Sequence, residues 1–322
     1  MTEILRSPVA DRSAWRGRDL ARERSWIVEL SAAQADAMAR GDFGPVEEVI
    51  ADAREEVLRG RGFVLLRGLP VEGRDRGAVR DMYWEFGRRL GNAIPQNLAG
   101  DLVNEIKDHG LDVNALNVKP SQTSAEQRPH TDPADMVTLL CINPAQSGGL
   151  SRIASTMAIY NELLDKHPQY LEWLYRGFHH DLRGDASEAA PYGCTPRPIP
   201  VYRYFGGTLS CVFNASTIKD AQRRMGALVP EAEMKAIDTM VALARGDELR
   251  LDMDFRVGDL QILNNYTVLH WRTGFQDNPE PEKRRLLYRL WLNAPDARSV
   301  DPEMAAGYIT GSKVVETIST HA

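Results

Sequence analysis

The hydrophobic pattern of the chain changes its period at Gly91. Before this glycine, apolar residues repeat at helical spacing over residues 46–57 and 79–90. After it, short apolar runs alternate with turns rich in glycine and proline, and regular strand–helix units are absent. A parallel α/β sheet needs a helical crossover after each strand, so this order argues against that class. It predicts a mainly β (α+β) fold, a double-sheet jelly roll with helical decoration.

The same patterns predict individual elements. The two early helices are closed by Gly60 and Gly91, and later helices run from Ser155 or Thr156 to about Lys166 and from Pro230 to Gly246. The predicted strands are 63–67, 136–142, 150–154, 260–263 and 285–292. The segment 181–200 is predicted to be a long binding or lid loop.

A chain of 322 residues can be accounted for by one large barrel with appended helices. We expect an N-terminal polar arm over residues 1–25, a single jelly-roll domain over 26–295, and a C-terminal tail over 296–322. The long predicted loop belongs to the central domain.

Composition narrows the class of partner. A formal net charge of -6 gives no excess of basic charge that would attract nucleic acid or an anionic membrane. The first 26 residues lack the apolar core of a signal peptide, and the longest apolar run, 136–142, is too short to span a bilayer. Three cysteines form no disulfide framework and indicate a reducing compartment. We therefore expect a cytoplasmic protein that acts on a small molecule, with homo-oligomer formation left open.

One tripeptide, His130-Thr131-Asp132, has the spacing of a metal site. In extended backbone, residues i and i+2 project to the same side, so the imidazole and the carboxylate share one space. With His270, which closely follows a predicted strand, they can form the two-histidine, one-carboxylate triad of non-haem iron(II) oxygenases. The alternative is a surface histidine beside an aspartate that starts a turn.

A second unusual feature is the strand 285–292, which is apolar apart from its two arginines and Tyr288. Its period of two places Arg285, Leu287, Arg289 and Trp291 on one face. If both faces are buried, each guanidinium needs an anion, because a buried unpaired charge is costly. The alternative is an edge strand whose arginines face water.

The joint pattern over residues 60–293 resembles the taurine dioxygenase/TfdA group of iron(II)- and 2-oxoglutarate-dependent dioxygenases. It consists of His130-x-Asp132, the Gly148-Gly149-Leu-Ser151 segment, His270 and the Arg284-Arg285-x-x-x-Arg289 segment. The resemblance implies a double-stranded β-helix, with Fe(II) as the metal and 2-oxoglutarate and O2 as cosubstrates.

The resemblance also implies roles for single residues. His130, Asp132 and His270 would bind iron, while Arg285 and Ser151 would bind the distal carboxylate of 2-oxoglutarate. Arg289 would lie by the anionic group of the substrate. Oxidative decarboxylation would release succinate and CO2 and drive hydroxylation, or desaturation, of an unactivated C–H bond. Related iron halogenases lack the carboxylate ligand, so the presence of Asp132 disfavours halogenation.

The chain departs from the family pattern near Leu90-Gly91. Taurine dioxygenases have a sulfonate-binding histidine shortly after this pair, whereas here no histidine precedes His109. Taurine is therefore not the expected substrate. Gln96, Asn97 and Asn104 are candidate substrate contacts, with turn or capping roles as the alternative. The segment 276–282 lengthens the loop before Arg285 and should leave the strand register intact.

Other polar residues leave alternatives open. Asp135 could meet a substrate amine or lie in a solvated turn, and Asn265 lies in a segment that supports His270. His179-His180 could form a second metal site, although a loop pair is the simpler interpretation. Two further functions compete with a small-molecule dioxygenase: a non-catalytic jelly-roll sensor, and an oxygenase of the same fold that acts on a protein side chain.

Overall fold

The computed structural model describes residues 3–97, 99–113, 115, 118–183, 191–226 and 229–307. The strands are β1 (Ile27–Glu29), β2 (Phe63–Arg67), β3 (Asn92–Ala93), β4 (Val103–Ile106), β5 (Met136–Asn143), β6 (Ser147–Gly148), β7 (Ser151–Ser155), β8 (Tyr202–Phe205), β9 (Thr208–Cys211), β10 (Arg250–Met253), β11 (Leu260–Asn264), β12 (Val268–Arg272), β13 (Phe275–Gln276) and β14 (Leu286–Asn293). The helices are α1 (Gly17–Glu23), α2 (Ala32–Ala39), α3 (Glu47–Arg59), α4 (Arg76–Leu90), α5 (Thr156–Lys166), α6 (Leu171–Arg176), α7 (Ala215–Met225), α8 (Glu231–Arg245) and α9 (Pro302–Gly307).

The strands form a major and a minor sheet. The major sheet has the order β1-β2-β11-β5-β14-β3, and β4 also pairs with β14. The minor sheet has the order β10-β7-β12. Apart from the parallel β1–β2 pair, the pairings in these two sheets are antiparallel. The mainly β jelly-roll class predicted from the sequence is confirmed.

Three apolar layers follow from the period of two in the strands. In β14, Leu287 and Trp291 belong to the layer between the sheets, whereas Tyr288 and Leu290 belong to the layer under α3 and α4. The other face of the minor sheet, including Trp271, packs beneath α5, α6, α7 and α8. Because both faces of β14 are buried, the edge-strand interpretation is wrong.

The predicted helices form with local capping interactions. Ser155 caps α5 by accepting a hydrogen bond from the backbone of Ala158, and Asp75 caps α4 in the same manner. The lengthened segment before Arg285 contains a short 3-10 helix over Pro281–Lys283, after which β14 pairs continuously with β5 apart from one irregularity at Leu286/Leu287. The loop insertion thus leaves the strand register of Arg289 intact.

The predicted loose arm over residues 1–25 is wrong for the part that the structure describes. Helix α1 packs against β10, and Trp15 and Leu20 are buried in the layer between the sheets. The backbone N–H of Val9 also donates to Asn161 on α5. The sequence does not predict this packing, because only a few apolar residues make the contacts and they lie within a highly charged segment.

Part of the predicted tail is also ordered against the body. Asp296 pairs with Arg54 and Arg59 on α3, and Met304 on α9 is buried. Residues 308–322, and residues 184–190 of the predicted loop 181–200, lie outside the described residues. Within the described ranges, no helix combines the length and apolarity that crossing a membrane requires.

A buried ion pair joins two strands of the major sheet. Arg67 at the end of β2 donates two hydrogen bonds to Asp259, at 2.8 and 2.9 Å, and Asp259 is completely buried. We predict that Asp259→Ala lowers the free energy of unfolding by about 1.5–3 kcal/mol, because it removes two charge-assisted hydrogen bonds from Arg67. Chemical denaturation measures this change. The matched exposed pair is Arg88–Glu85, where Arg88→Ala should cost about 0–1 kcal/mol; equal losses for both variants would contradict the prediction.

Candidate active site

His130, Asp132 and His270 meet at the edge of the minor sheet. One ligand atom from each residue lies within 4.8 Å of the others. The Asp132 carboxylate oxygens lie 3.7 Å from Nε2 of His130 and 3.6 Å from Nε2 of His270. The three side chains are largely buried, so the cluster is an interior site and not a surface histidine beside a turn.

Backbone pairing brings the distant residues together. His130 exchanges two backbone hydrogen bonds with His270, at 2.9 and 3.1 Å, as an antiparallel bridge beside β12. Thr131 is fixed against Phe213 by its backbone N–H, which donates at 2.8 Å. Because Thr131 points away and is pinned there, His130 and Asp132 project to the same side.

Hydrogen bonds fix the orientation of the ligand groups. The Nδ1 atom of His130 lies 2.8 Å from the backbone oxygen of Arg128, which makes Nδ1 the protonated nitrogen and leaves Nε2 as the ligand atom. Asp132 accepts the indole N–H of Trp291 at 2.8 Å, and its backbone N–H donates to the side-chain oxygen of Asn265 at 3.0 Å. Asn265 therefore contacts Asp132 directly, in addition to lying in the segment that leads to His270.

Burial and nearby charges set the protonation states of the site. Burial, reinforced by His270, lowers the pKa of His130 to about 4. Burial works against ionisation of Asp132, but the charge of Arg289 and the contact with His270 outweigh it and hold the pKa of this carboxyl far below its usual range. The site thus presents a neutral imidazole and a carboxylate at neutral pH, as metal binding requires.

The donor set fits iron(II). Two imidazole nitrogens and one carboxylate on one side of a metal ion leave the opposite positions for other ligands, which is the arrangement of the non-haem iron oxygenases. Among the described residues, this is the single group of three or more histidine, cysteine or acidic side chains close enough to hold a metal. A second metal site at His179-His180 is not formed by the described residues: His179 contacts the Thr195 backbone oxygen, and His180 contacts Thr217.

An inner cavity begins at the histidines and ends at Arg285. It is lined by Ile106, Ser121, Gln127, His130, Leu139, Ser151, Phe255, His270, Trp271, Arg272, Arg285, Leu287 and Arg289. Arg285 is 5% exposed, and among the described residues its guanidinium forms no ion pair within 4.0 Å. Burial lowers the pKa of Arg285 to about 10, which still leaves it charged. A buried cation of this kind fits an anionic ligand.

The other predicted cosubstrate residues lie around Arg285. Ser151 is buried and its hydroxyl accepts a hydrogen bond from Gln261 at 3.2 Å, so its own proton remains available for donation. Gly149 has a φ of +70°, and a Cβ there would lie 3.3 Å from Nε of Arg285. The predicted Gly-Gly turn thus allows the chain to pass close to the guanidinium.

An outer cavity opens on the other side of the triad. Its walls come from Lys119, Pro120, Ser121, Gln127, Arg128, His130, Thr131, Asp132, Pro133, His180, Asp181, Leu182, Arg183, Thr195, Asn214, Ser216, Thr217, Arg289 and Trp291. The triad therefore lies where the inner and outer cavities meet, with Arg289 and His130 shared by both.

Arg289 is held beside the triad by Gln96. Its Nε donates to the Gln96 side-chain oxygen at 2.7 Å, and its Nη1 lies 3.5 Å from Asp132. The Gln96 amide nitrogen donates to the backbone oxygens of Leu102 and Arg289. Since its oxygen and both amide hydrogens are used inside the protein, Gln96 orients Arg289 instead of presenting polar groups to a ligand.

The remaining candidate contacts separate into two groups. Asn104 on β4 lies opposite Arg289 on β14 and lines a further polar pocket that includes Arg289. Asn97 exchanges hydrogen bonds with Asp101, which is the turn role named as its alternative. Asp135 accepts the backbone N–H of Ala294 at 2.8 Å, and burial raises its pKa, so it is neither a solvated turn residue nor a wall of the outer cavity.

Two functional side chains had no role in the sequence interpretation. Trp291 shares the inward face of β14 with Arg289, and Arg272 shares the inward face of β12 with His270. The period of two had already placed Trp291 on this face without giving it a role, and the same period counted from His270 would have found Arg272. Arg272 is 5% exposed, and burial together with the charge of Arg285 lowers its pKa to about 9.

The fold and the site define a jelly-roll oxygenase of the two-histidine, one-carboxylate type. The sequence model of the taurine catabolism dioxygenase TauD, TfdA family matches residues 30–291. The chain belongs to this family, and the class predicted from the sequence, an iron(II)- and 2-oxoglutarate-dependent dioxygenase, is confirmed.

Individual relatives agree with this assignment. FR-33289 synthase of Streptomyces rubellomurinus (strain ATCC 31215) is 30% identical over 92% of this chain and 94% of its own length. A solved structure of asparagine oxygenase, in complex with Fe(II), 2S,3S-3-hydroxyasparagine and succinate, has a TM-score of 0.61 at 18% identity and covers 89% of this chain and 99% of its own. The oxygenase OrfP, in complex with Fe and α-ketoglutaric acid, has a TM-score of 0.60 at 16% identity, covering 83% of this chain and 93% of its own. The two structures support the shared fold.

The ligand assignment predicts the iron content of variants. His130→Ala should lose most of its bound iron(II), because it removes one of three ligands from the site. Metal analysis after desalting measures the loss. His167→Ala is the control, since His167 follows α5 and stacks on Tyr170 outside both cavities. Unchanged iron content in His130→Ala would contradict the ligand role.

Trp291 should tune the affinity of the site for iron. Trp291→Phe keeps an aromatic ring but removes the N–H that orients Asp132, so the Kd for iron(II) should rise about 10- to 100-fold. Anaerobic competition with a metal chelator measures this Kd. Trp173→Phe changes a partly buried tryptophan elsewhere in the fold and should leave iron affinity alone. The same affinity in both variants would show that the indole bond does not matter.

Proposed function

We propose that this protein hydroxylates an unactivated C–H bond of a small molecule that is anionic or amino-acid-like, in a reaction that converts 2-oxoglutarate and O2 to succinate and CO2. The observation that carries the substrate class is the placement of Arg289, a guanidinium beside the triad that borders the outer cavity. Desaturation at the same carbon is the alternative outcome of the same chemistry. A cytoplasmic location belongs to this proposal, supported by three buried free cysteines.

In this proposal, His130, Asp132 and His270 hold the iron. When bound, the metal with 2-oxoglutarate and O2 supplies the oxidising power that the side chains of the chain lack. Arg285 binds the distal carboxylate of 2-oxoglutarate as a charged, preorganised donor, and Ser151 donates its hydroxyl proton to the same group. Leu287 and Phe255 line the cavity between these groups and limit the entry of water.

The outer cavity supports an anionic substrate. Four basic side chains, those of Lys119, Arg128, Arg183 and Arg289, line it against two carboxylates. Asp132 is a proposed metal ligand, and Asp181 pairs with Arg224 at 2.7 Å. The excess of positive charge favours a ligand that carries a carboxylate or a similar anion. Asn104 remains a candidate contact next to Arg289.

The relatives support a substrate of amino-acid size. The solved structure of asparagine oxygenase contains hydroxyasparagine, and those of OrfP include complexes with L-Arg and with (3S)-hydroxy-L-Arg. Polar groups of Asn214, Ser216 and Thr217 at the start of α7 line the outer cavity and offer hydrogen bonds to such a molecule.

Cosubstrate binding can be tested without knowing the substrate. Anaerobic addition of 2-oxoglutarate to the iron(II)-loaded protein should produce a visible metal-to-ligand charge-transfer band. Arg285→Met should raise the Kd read from this band about 10-fold or more, because a charged hydrogen bond to the carboxylate is lost. No band in the wild-type protein with iron bound would contradict the use of 2-oxoglutarate.

Turnover distinguishes an enzyme from a metal-binding sensor. Amino acids, sulfonates, aryloxyacids and natural-product precursors should be screened for stimulation of succinate release. We expect an anionic compound of amino-acid size to stimulate release, and Arg289→Met to abolish the stimulation while iron and 2-oxoglutarate still bind. Stimulation by neutral compounds alone, with Arg289→Met unaffected, would contradict the proposed substrate class.

A further inference from the structure

Arg272 is a second buried cation in the inner cavity. Its guanidinium carbon lies 4.4 Å from the centroid of the Phe275 ring, and that of Arg285 lies 5.1 Å from the same centroid. Two like charges therefore converge on one aromatic ring inside the protein. Among the described residues, neither guanidinium has a carboxylate within 4.0 Å. Repulsion between them disfavours the empty site and is relieved by an anion that contacts both.

The hydrogen bonds of Arg272 divide into two groups. Its Nη2 donates to the backbone oxygens of Pro120, Thr123 and Ala125 at 3.4, 3.0 and 2.7 Å. In contrast, its Nε and Nη1 are buried and have no hydrogen-bond partner among the described residues. Other described arginines, such as Arg298, leave only Nε unpaired, whereas Arg272 leaves two donors unpaired, and each unpaired buried donor costs free energy.

The three backbone oxygens lie in the segment 119–126, here called the strap. The strap contributes Lys119, Pro120 and Ser121 to the outer cavity. Its backbone also contacts the residues after β12, because Phe275 donates to the Ser124 oxygen at 3.1 Å. Arg272 thus lines the inner cavity, while its Nη2 holds a wall of the outer cavity.

We propose that Arg272 is a positioning residue that binds the cosubstrate together with Arg285 and thereby fixes the strap over the substrate site. This inference rests on the proposed function, in which the inner cavity is the 2-oxoglutarate site. When an anion engages Nε and Nη1, the guanidinium loses its freedom to turn away from the strap. Cosubstrate binding then orders a wall of the outer cavity before the substrate enters.

The test combines binding with backbone exchange. In iron(II)-loaded protein kept anaerobic, Arg272→Met should raise the Kd of 2-oxoglutarate, read from the charge-transfer band, about 10- to 100-fold without loss of iron. In the wild-type protein, 2-oxoglutarate should slow amide hydrogen exchange in the strap, and this slowing should vanish in Arg272→Met. Arg298→Met is the matched control. It removes another partly buried arginine with an unpaired Nε, which donates to Leu209 and lies outside both cavities, so neither quantity should change.

The possible outcomes distinguish a failure of the Arg272 inference from a failure of the proposed function. An unchanged Kd in Arg272→Met, with iron bound, would reduce Arg272 to an anchor of the strap and overturn the inference. Should that variant not fold, Arg272→Lys and the wild-type exchange measurement decide. A raised Kd in Arg272→Lys with cosubstrate-dependent protection of the wild-type strap supports the inference, and the absence of either contradicts it. No charge-transfer band in the wild-type protein would instead contradict the proposed function.

Discussion

The structure depends on the burial of positive charge on the inward face of β14. Arg285 and Arg289 project between two sheets, where an uncompensated guanidinium would cost several kcal/mol. The fold meets this cost in two ways. Arg289 is partly compensated within the protein by Asp132 at 3.5 Å and donates to the Gln96 side chain, and it still borders the outer cavity where we propose that the substrate anion binds. Arg285 has no such carboxylate among the described residues, which is why we propose that a ligand anion compensates its charge.

The contact between Arg289 and Asp132 also explains the arrangement around the proposed metal. Asp132 is contacted by Arg289, by the Trp291 indole and, through its backbone, by Asn265. The contacts with Arg289 and Trp291 orient the carboxylate and favour its ionised form, which is the form that binds a metal, and the contact with Asn265 fixes the backbone that carries it. Trp291 and Arg289 lie on β14, and Arg285 directly precedes this strand. The contacts of Asp132 and the cosubstrate cavity therefore depend on one continuous segment of chain.

The sequence predicted the parts of the site that local periodicity controls. The period of two, which relates His130 to Asp132 at i+2 and Arg285 to Arg289 at i+4, placed these side chains correctly because strand geometry fixes their direction. It left open whether Asn97 contacts a substrate or closes a turn, and it did not predict that Gln96 is fully engaged with Arg289, because that contact depends on how separate segments meet. The docking of Trp15 and Leu20 was hidden for the same reason, within a segment whose charge resembles a loose arm.

The central claim is that the His130, Asp132 and His270 cluster is an iron site whose cosubstrate lies toward Arg285. The most direct test is anomalous diffraction at the iron absorption edge, from crystals grown anaerobically with iron(II) and 2-oxoglutarate. The account predicts one strong anomalous peak between Nε2 of both histidines and the Asp132 carboxylate, with 2-oxoglutarate extending from it to the Arg285 guanidinium. A peak at another position, or 2-oxoglutarate bound away from Arg285, would contradict it.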